Sequence, residues 1–481
     1  MTTTDLISIL PLIILVGWSC LLLLLDAFVT GEKQGVTALL AALGLAITLG
    51  FSVAQFGQEF RTFNDMIVVD GFARFMNVIF TGSGILAIAL ATRYLKRMEM
   101  DRGEFYSLLL FSISGMLLMS MAADLIVIFL ALELLSIPLY VLAGFARPRV
   151  ESEEAAMKYF LLGAFASGFV VYGVALSFGA TGTTSLATIV STISAGTADM
   201  ALLVVGAALI LIGLGFKVAV VPFHMWTPDV YHGAPSPVAG FMAIGAKSAG
   251  FAALLRLYLT ALPELSTDLV PVVWVLAALT LFVGNIAAIA QRNIKRMLAY
   301  SSIAHAGYIL MAFVTFGQSE IAPDAVSATL FYLVAYALTN LGSWAVVIAL
   351  EHKEGRGLNL DDYYGLSTRY PALSASMVVF MLSFIGVPPT LGFVGKFYLF
   401  RTVLQGGFIW LAIIGVVTSL ISAYYYLRVV VNMYMHDGDP DVQLDPWLRV
   451  VSFGTAIGVV LLSVLSVPLF NWASKAVLTM F

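Results

Sequence analysis

Of 481 residues, 60% are hydrophobic and 11% are charged, with a formal net charge of −4, whereas a soluble domain carries about 25% charged residues. Apolar runs of the ~20 residues needed to cross a ~30 Å hydrocarbon layer recur from end to end, which excludes a soluble domain with one anchor. With no basic tail and no long charge run, nucleic acid is excluded as a partner.

The chain opens MTTTDLISILPLII, without a basic segment before its apolar stretch, so it reads as a first span and not as a cleaved signal peptide. The pattern then predicts an all-α, polytopic membrane protein of about fourteen transmembrane helices. Their centres fall near Val16, Ile47, Phe80, Gly115, Leu134, Phe169, Ile210, Gly245, Leu281, Gly307, Tyr336, Pro388, Thr418 and Val459. Cys20, in the first run, has no partner for a disulfide within the chain. Basic residues gather in the odd-numbered loops: Arg93, Lys96, Arg97 and Arg102; Arg147 and Arg149; Arg292, Lys295 and Arg296; Lys353, Arg356 and Arg369. The loops at residues 182–197 and 262–270 have none. Because Lys and Arg accumulate on the cytoplasmic side, both termini are expected outside.

Proline interrupts two spans in corresponding positions of the two halves. Span 7 carries Pro222 and Pro228, and span 12, FMLSFIGVPPTLGFVGKFYLF, carries Pro388 and Pro389 mid-run. Broken helices at matching positions point to a transporter's site, since freed carbonyls and half-helix ends are tolerated only where they face a polar cavity.

Few of the charged residues sit clearly inside a span: Glu133, Lys217, Lys247 and Lys396, with Lys158 less deep. A lone ionised side chain at mid-membrane costs at least ~2.5–3.5 kcal/mol. Glu133 lies nine residues beyond Asp124, roughly 13 Å along a helix. A buried Glu and Lys titrate according to each other's position, the coupling a proton carrier needs. A static ion pair is the bland alternative, but one deep carboxylate cannot pair with three deep lysines. His224, beside Pro222, and His305, in span 10, are candidate relays, since imidazole can pass a proton through either ring nitrogen. Tyr300, Tyr424, Tyr425 and Tyr426 can hydrogen-bond into the same path or anchor at the interface. Asp229 is expected at the outer surface as a helix cap, and His232, His352 and His436 in loops. The sequence has no Cys-x-x-Cys, no His/Cys cluster and no dinucleotide fingerprint, and Gly392-Phe-Val-Gly-Lys396 lacks phosphate-loop spacing, so no cofactor is expected in this chain.

FKVAVVPFHMWTPDVYHGAPSPV (Phe216–Val238), ELLSIPLYVL (Glu133–Leu142), NIKRMLAYSSIAHAGY (Asn293–Tyr308) and GVPPTLGFVGKFYLF (Gly386–Phe400) resemble the antiporter-like subunits of respiratory complex I, most of all its subunit N. The resemblance runs over nearly the whole chain. It implies two inverted five-helix repeats, residues 105–262 (spans 4–8) and 263–436 (spans 9–13), flanked by a three-helix segment 1–104 and a terminal helix 437–481. It implies proton translocation coupled to redox chemistry elsewhere, with Glu133 and Lys217 as a modulating pair, Lys247 as central relay and Lys396 as the second half-channel's lysine. It also makes Lys295 a relay candidate, although its neighbours Arg292 and Arg296 mark a loop. FMN, iron–sulfur clusters, NADH and quinone would reside in partner subunits. The expected partners are other membrane-arm subunits, antiporter-like and small, in a bacterial inner membrane. A subunit of a multi-component sodium/proton antiporter and a non-pumping membrane scaffold are the alternatives.

Overall fold

In hydrocarbon, every backbone N–H and C=O has to be satisfied within its own segment, and this chain meets the requirement with helices. The structure, a computed structural model, describes residues 3–28, 34–261, 263–353 and 355–476. Leu262, the expected end of the first repeat and start of a loop, lies outside the described residues.

The first helices are α1 (Thr3–Ser8), α2 (Leu10–Asp26) and α3 (Gln34–Ala54), followed by an antiparallel hairpin of β1 (Phe60–Thr62) and β2 (Ile67–Val69) in register Phe60 to Val69. Next come α4 (Gly71–Arg97), α5 (Glu104–Met121), α6 (Leu125–Ala143), α7 (Val150–Thr181), α8 (Leu186–Ser194), α9 (Met200–Val218), α10 (Trp226–Gly233) and α11 (Ser236–Arg256). The second half holds α12 (Pro263–Ile289), α13 (Ile294–Phe313), α14 (Ala322–Leu350), α15 (Leu366–Arg369), α16 (Pro371–Ile385), α17 (Leu391–Gln405), α18 (Ile409–Met435), α19 (Pro446–Val464) and α20 (Ser466–Lys475). Among the described residues, 11 helices are long and apolar enough to cross a membrane. Leu10–Asp26 and Pro371–Ile385 are shorter apolar helices at expected span positions, and Ile294–Phe313 occupies a further one.

Local chemistry sets the helix ends. Asp70, Asp124 and Asp199 accept from the first-turn amides of α4, α6 and α9, as Asn293 does for α13. Both predicted breaks are present. α9 stops where Ala219 turns left-handed (φ 62°), three residues before Pro222, and the chain resumes helix at Trp226. α16 stops at Gly386 (φ 87°), and α17 starts beyond Pro388-Pro389 with Thr390 as its cap. A left-handed stop followed by proline prevents the helix from continuing.

Helix α11 is the axis: every residue from Ser236 to Arg256 is buried. Around it α5 packs along α6, α7 along α9, and α12 along α13. Small residues let these backbones approach. A Cβ on Gly115 would meet the Leu135 backbone nitrogen at 2.3 Å, which fixes the α5–α6 contact. The rim is apolar, as lipid requires, with Phe165, Tyr172, Leu420 and Ile457 exposed.

Candidate functional site

Glu133, Ser136 and Tyr140 are spaced three and four residues apart, so they share one face of α6. Glu133 accepts a hydrogen bond from the Ser167 hydroxyl of α7. Lys217, the penultimate residue of α9 and 3% exposed, donates from Nζ to Ser136 Oγ at 2.8 Å and to Tyr159 Oη at 2.9 Å. Its ammonium also lies 5.0 Å from the Tyr159 ring centroid and 5.8 Å from that of Tyr140. Glu133 and Lys217 therefore bond to different hydroxyls, Ser167 and Ser136, instead of forming the direct pair that a modulating role suggests, and Glu133 has no ion pair among the described residues. Tyr159 stacks on Trp226 at 4.6 Å, and Trp226 Nε1 donates to the Phe216 carbonyl at 2.9 Å, bridging the break.

Lys247, 2% exposed on α11, donates to the carbonyl and hydroxyl oxygens of Ser302, both at 2.7 Å. One turn on, a Cβ at Gly250 would lie 3.5 Å from Lys217 Cβ, so α11 passes close to Lys217. Ser301, next to Ser302 on α13, shares a hydrogen bond with Tyr426 Oη. Tyr426 Oη also meets His305 Nε2 at 3.1 Å, while His305 Nδ1 meets Tyr332 Oη at 2.6 Å. Both ring nitrogens are thus engaged by phenols, one accepting and one donating in a neutral ring. Lys396, on the second half of span 12, donates to the Ile385 carbonyl at 3.0 Å and to Ser419 Oγ at 2.9 Å. Ile385 is the last residue of α16, so the lysine caps a carbonyl freed by the break, with its ammonium 4.2 Å from the Tyr308 ring centroid.

The remaining candidates divide. Lys295 is not a loop charge: it is 1% exposed, donates to the Ala234 carbonyl at 2.8 Å and pairs with Glu351 at 3.7 Å. Glu351, fully buried and held by the Ser236 hydroxyl, escaped the sequence reading because EHKEGR looks like an ordinary polar loop. Lys158 is partly exposed and pairs with Glu154 at 2.6 Å and Asp229 at 2.7 Å. Asp229 pairs with Arg296 as well. It therefore lies beside the basic loop following span 9 and not at the opposite surface, because α10 has already carried the chain across. His224 lies in the break, with Nδ1 buried and unpartnered among the described residues, and no bond to the lysines. Tyr300 is half-buried and makes no side-chain hydrogen bond among the described residues; Tyr425 and Tyr426 are buried and Tyr424 is exposed. His232 is in the last turn of α10 rather than in a loop. The sequence reading also passed over Asp70 and Arg256, which form a fully buried ion pair at 2.7 Å, joined by the Ser120 carbonyl.

Helices broken at two points, with ionisable groups buried beside both breaks, define an antiporter-like membrane subunit. Residues 122–422 match the family described as NADH:quinone oxidoreductase/Mrp antiporter, transmembrane. NADH-quinone oxidoreductase subunit N of Chloroflexus aggregans is 45% identical over 99% of this chain and 98% of its own length. A chain in the structure of respiratory complex I from Thermus thermophilus with bound aureothin superposes with a TM-score of 0.83 at 35% identity, covering 96% of this chain and 99% of that one. A chain of the Mrp complex from Dietzia sp. DQ12-45-1b gives 0.87 at 20% identity over 99% and 97%, a likeness of fold alone. The chain belongs to the NADH:quinone oxidoreductase/Mrp antiporter family, on its NADH-quinone oxidoreductase subunit N branch.

Proposed function

We propose that this membrane-arm subunit of NADH–quinone oxidoreductase moves protons along Glu133, Ser136, Lys217, Lys247, Ser302, Ser301, Tyr426, His305 and Lys396. The observation that carries the reading is the set of partners around the buried lysines. Lys217, Lys247 and Lys396 are held by hydroxyls and carbonyls, and among the described residues no carboxylate pairs with any of them. An ammonium donates three hydrogen bonds, and a hydroxyl can rotate to donate or accept. A lysine facing a hydroxyl keeps a partner whether or not it carries the proton, whereas a contacting carboxylate would favour the charged form alone. Glu133, on the same face of α6 as the Ser136 that holds Lys217, can bias this lysine without locking it. His305 can take a proton on one nitrogen and release it from the other.

In this reading FMN, iron–sulfur clusters, NADH and quinone belong to partner subunits, and the neighbours are other antiporter-like and small membrane-arm subunits. The chain would span a bacterial inner membrane with fourteen helices, both termini outside, and spans 4–8 and 9–13 as inverted repeats around the two breaks. Lys158, Lys295, His224 and Tyr300 would lie off the main line: Lys158 and Lys295 have carboxylate partners, and among the described residues His224 and Tyr300 have no hydrogen bond to it.

The test is Lys247→Ala in the assembled complex, reconstituted in vesicles. The expected result is a lowered proton-to-electron ratio with assembly intact. A full ratio with an unchanged quinone-reductase rate would overturn the assignment and leave a scaffold.

A further inference from the structure

A pocket of about 250 Å³, with mostly apolar walls and three charged side chains, lies between the β1–β2 hairpin, the start of α4 and the end of α20, lined by Phe56, Glu59, Gly71, Arg74, Trp472 and Lys475. One water needs only about 10–15 Å³ on this measure, so a headgroup-sized ligand fits. Arg74 is 1% exposed, yet its Nε and Nη2 have no hydrogen-bond partner among the described residues. Asp70, one turn before it, is occupied: its carboxylate caps Ala73 and takes both terminal nitrogens of Arg256. Glu59 is exposed and makes no ion pair with Arg74. A buried guanidinium with two idle donors is costly unless something accepts from it.

We propose that this pocket binds a phosphate group, carried by an anionic phospholipid headgroup or as a free phosphate ion. The guanidinium offers the forked donors that phosphate oxygens fit, and Lys475 adds a second cation. Helix α4 runs from the pocket to Arg97 in the first basic loop, about 40 Å at 1.5 Å per residue. The pocket thus sits at the opposite end of the bundle, at the level where lipid phosphates lie. Trp472, packed on Phe75 at 4.3 Å and Phe56 at 6.1 Å, forms its aromatic wall, and Trp favours that interfacial depth.

The experiment measures retention of radiolabelled phosphatidylglycerol, and separately of inorganic phosphate, by the lipid-depleted complex. Arg74→Gln is expected to lose one tightly held equivalent. Lys475→Gln, at an exposed position that leaves folding intact, is expected to weaken retention about two- to fivefold, and Glu59→Gln to strengthen it. Loss in the phosphatidylglycerol arm identifies a lipid as the source of the phosphate; loss confined to the phosphate arm identifies the free ion. Retention by Lys475→Gln and Glu59→Gln equal to the parent's in both arms overturns the site, whether or not Arg74→Gln assembles.

Discussion

Tyr426→Phe removes one oxygen and leaves the ring, so it separates the hydroxyl relay from the packing around it. That oxygen bonds Ser301 and His305 Nε2, and among the described residues it alone links the serines beside Lys247 to the imidazole. The ring itself stacks on Phe384 at 5.3 Å, a contact phenylalanine keeps. Leaving a buried polar partner unsatisfied costs about 1–3 kcal/mol, and about 1.4 kcal/mol is a tenfold change. If the proton crosses here, its transfer slows roughly 5- to 150-fold by that conversion. Tyr332→Phe, which removes the oxygen on His305 Nδ1, is the companion variant and keeps the Tyr426 bridge. The assay is proton uptake by vesicles containing the complex, recorded together with quinone reduction. Tyr426→Phe should lower the ratio of protons moved to electrons passed. A variant that assembles, loses thermal stability and yet pumps at the parental rate and ratio would refute the relay and leave Tyr426 a structural residue.

Breaking the buried Arg256–Asp70 pair from one side, as in Asp70→Asn, should cost about 3–5 kcal/mol, read as reduced assembly on native gels; the double change with Arg256→Met should recover much of it. Lys158→Met should leave the proton-to-electron ratio within about twofold of the parent's, because partly exposed ion pairs contribute about 0–1 kcal/mol. Gly115→Ala should push α6 off α5, since its Cβ would lie 2.3 Å from the Leu135 nitrogen. Because α6 carries Glu133 and Ser136, pumping and assembly should fall together, seen in vesicle assays and complex yield.

Much of this architecture was legible because lipid makes apolar length and proline informative. Each expected centre except Pro388 falls within a helix, and Pro388 falls in the gap between α16 and α17 where a break was read. Lys217, Lys247 and Lys396 stood out because long apolar runs surround them. Glu351 and Lys295 did not, because they lie at helix ends among residues that truly are exposed, and only the approach of α10, α13 and α14 buries them together. Asp70 and Arg256 were hidden for the same reason: they lie at helix ends and are 186 residues apart in sequence. The serines and tyrosines were illegible as a relay, since a hydroxyl in a span usually bonds its own helix, as Thr81 and Thr329 do here.

The two kinds of buried cation follow the chemistry of their side chains. Arg256 faces a carboxylate with both terminal nitrogens and the Ser120 carbonyl besides. Guanidinium does not give up its proton in proteins, so this contact is permanent and suits a tie between α4, α5 and α11. Lysine shifts its protonation readily when buried, and Lys217, Lys247 and Lys396 face oxygens that tolerate either state. Lys295 lies between these cases, with a carboxylate at 3.7 Å and a carbonyl at 2.8 Å. Glu351→Gln therefore discriminates: it leaves the shape and the Ser236 bond while removing the charge. If Lys295 acts as a fixed tie, the variant should lose about 3–5 kcal/mol, as for a buried pair broken from one side, and show it as poor assembly. If Lys295 exchanges protons, Glu351→Gln should assemble and alter the pH dependence of pumping, an outcome that would bring Lys295 back onto the proton path.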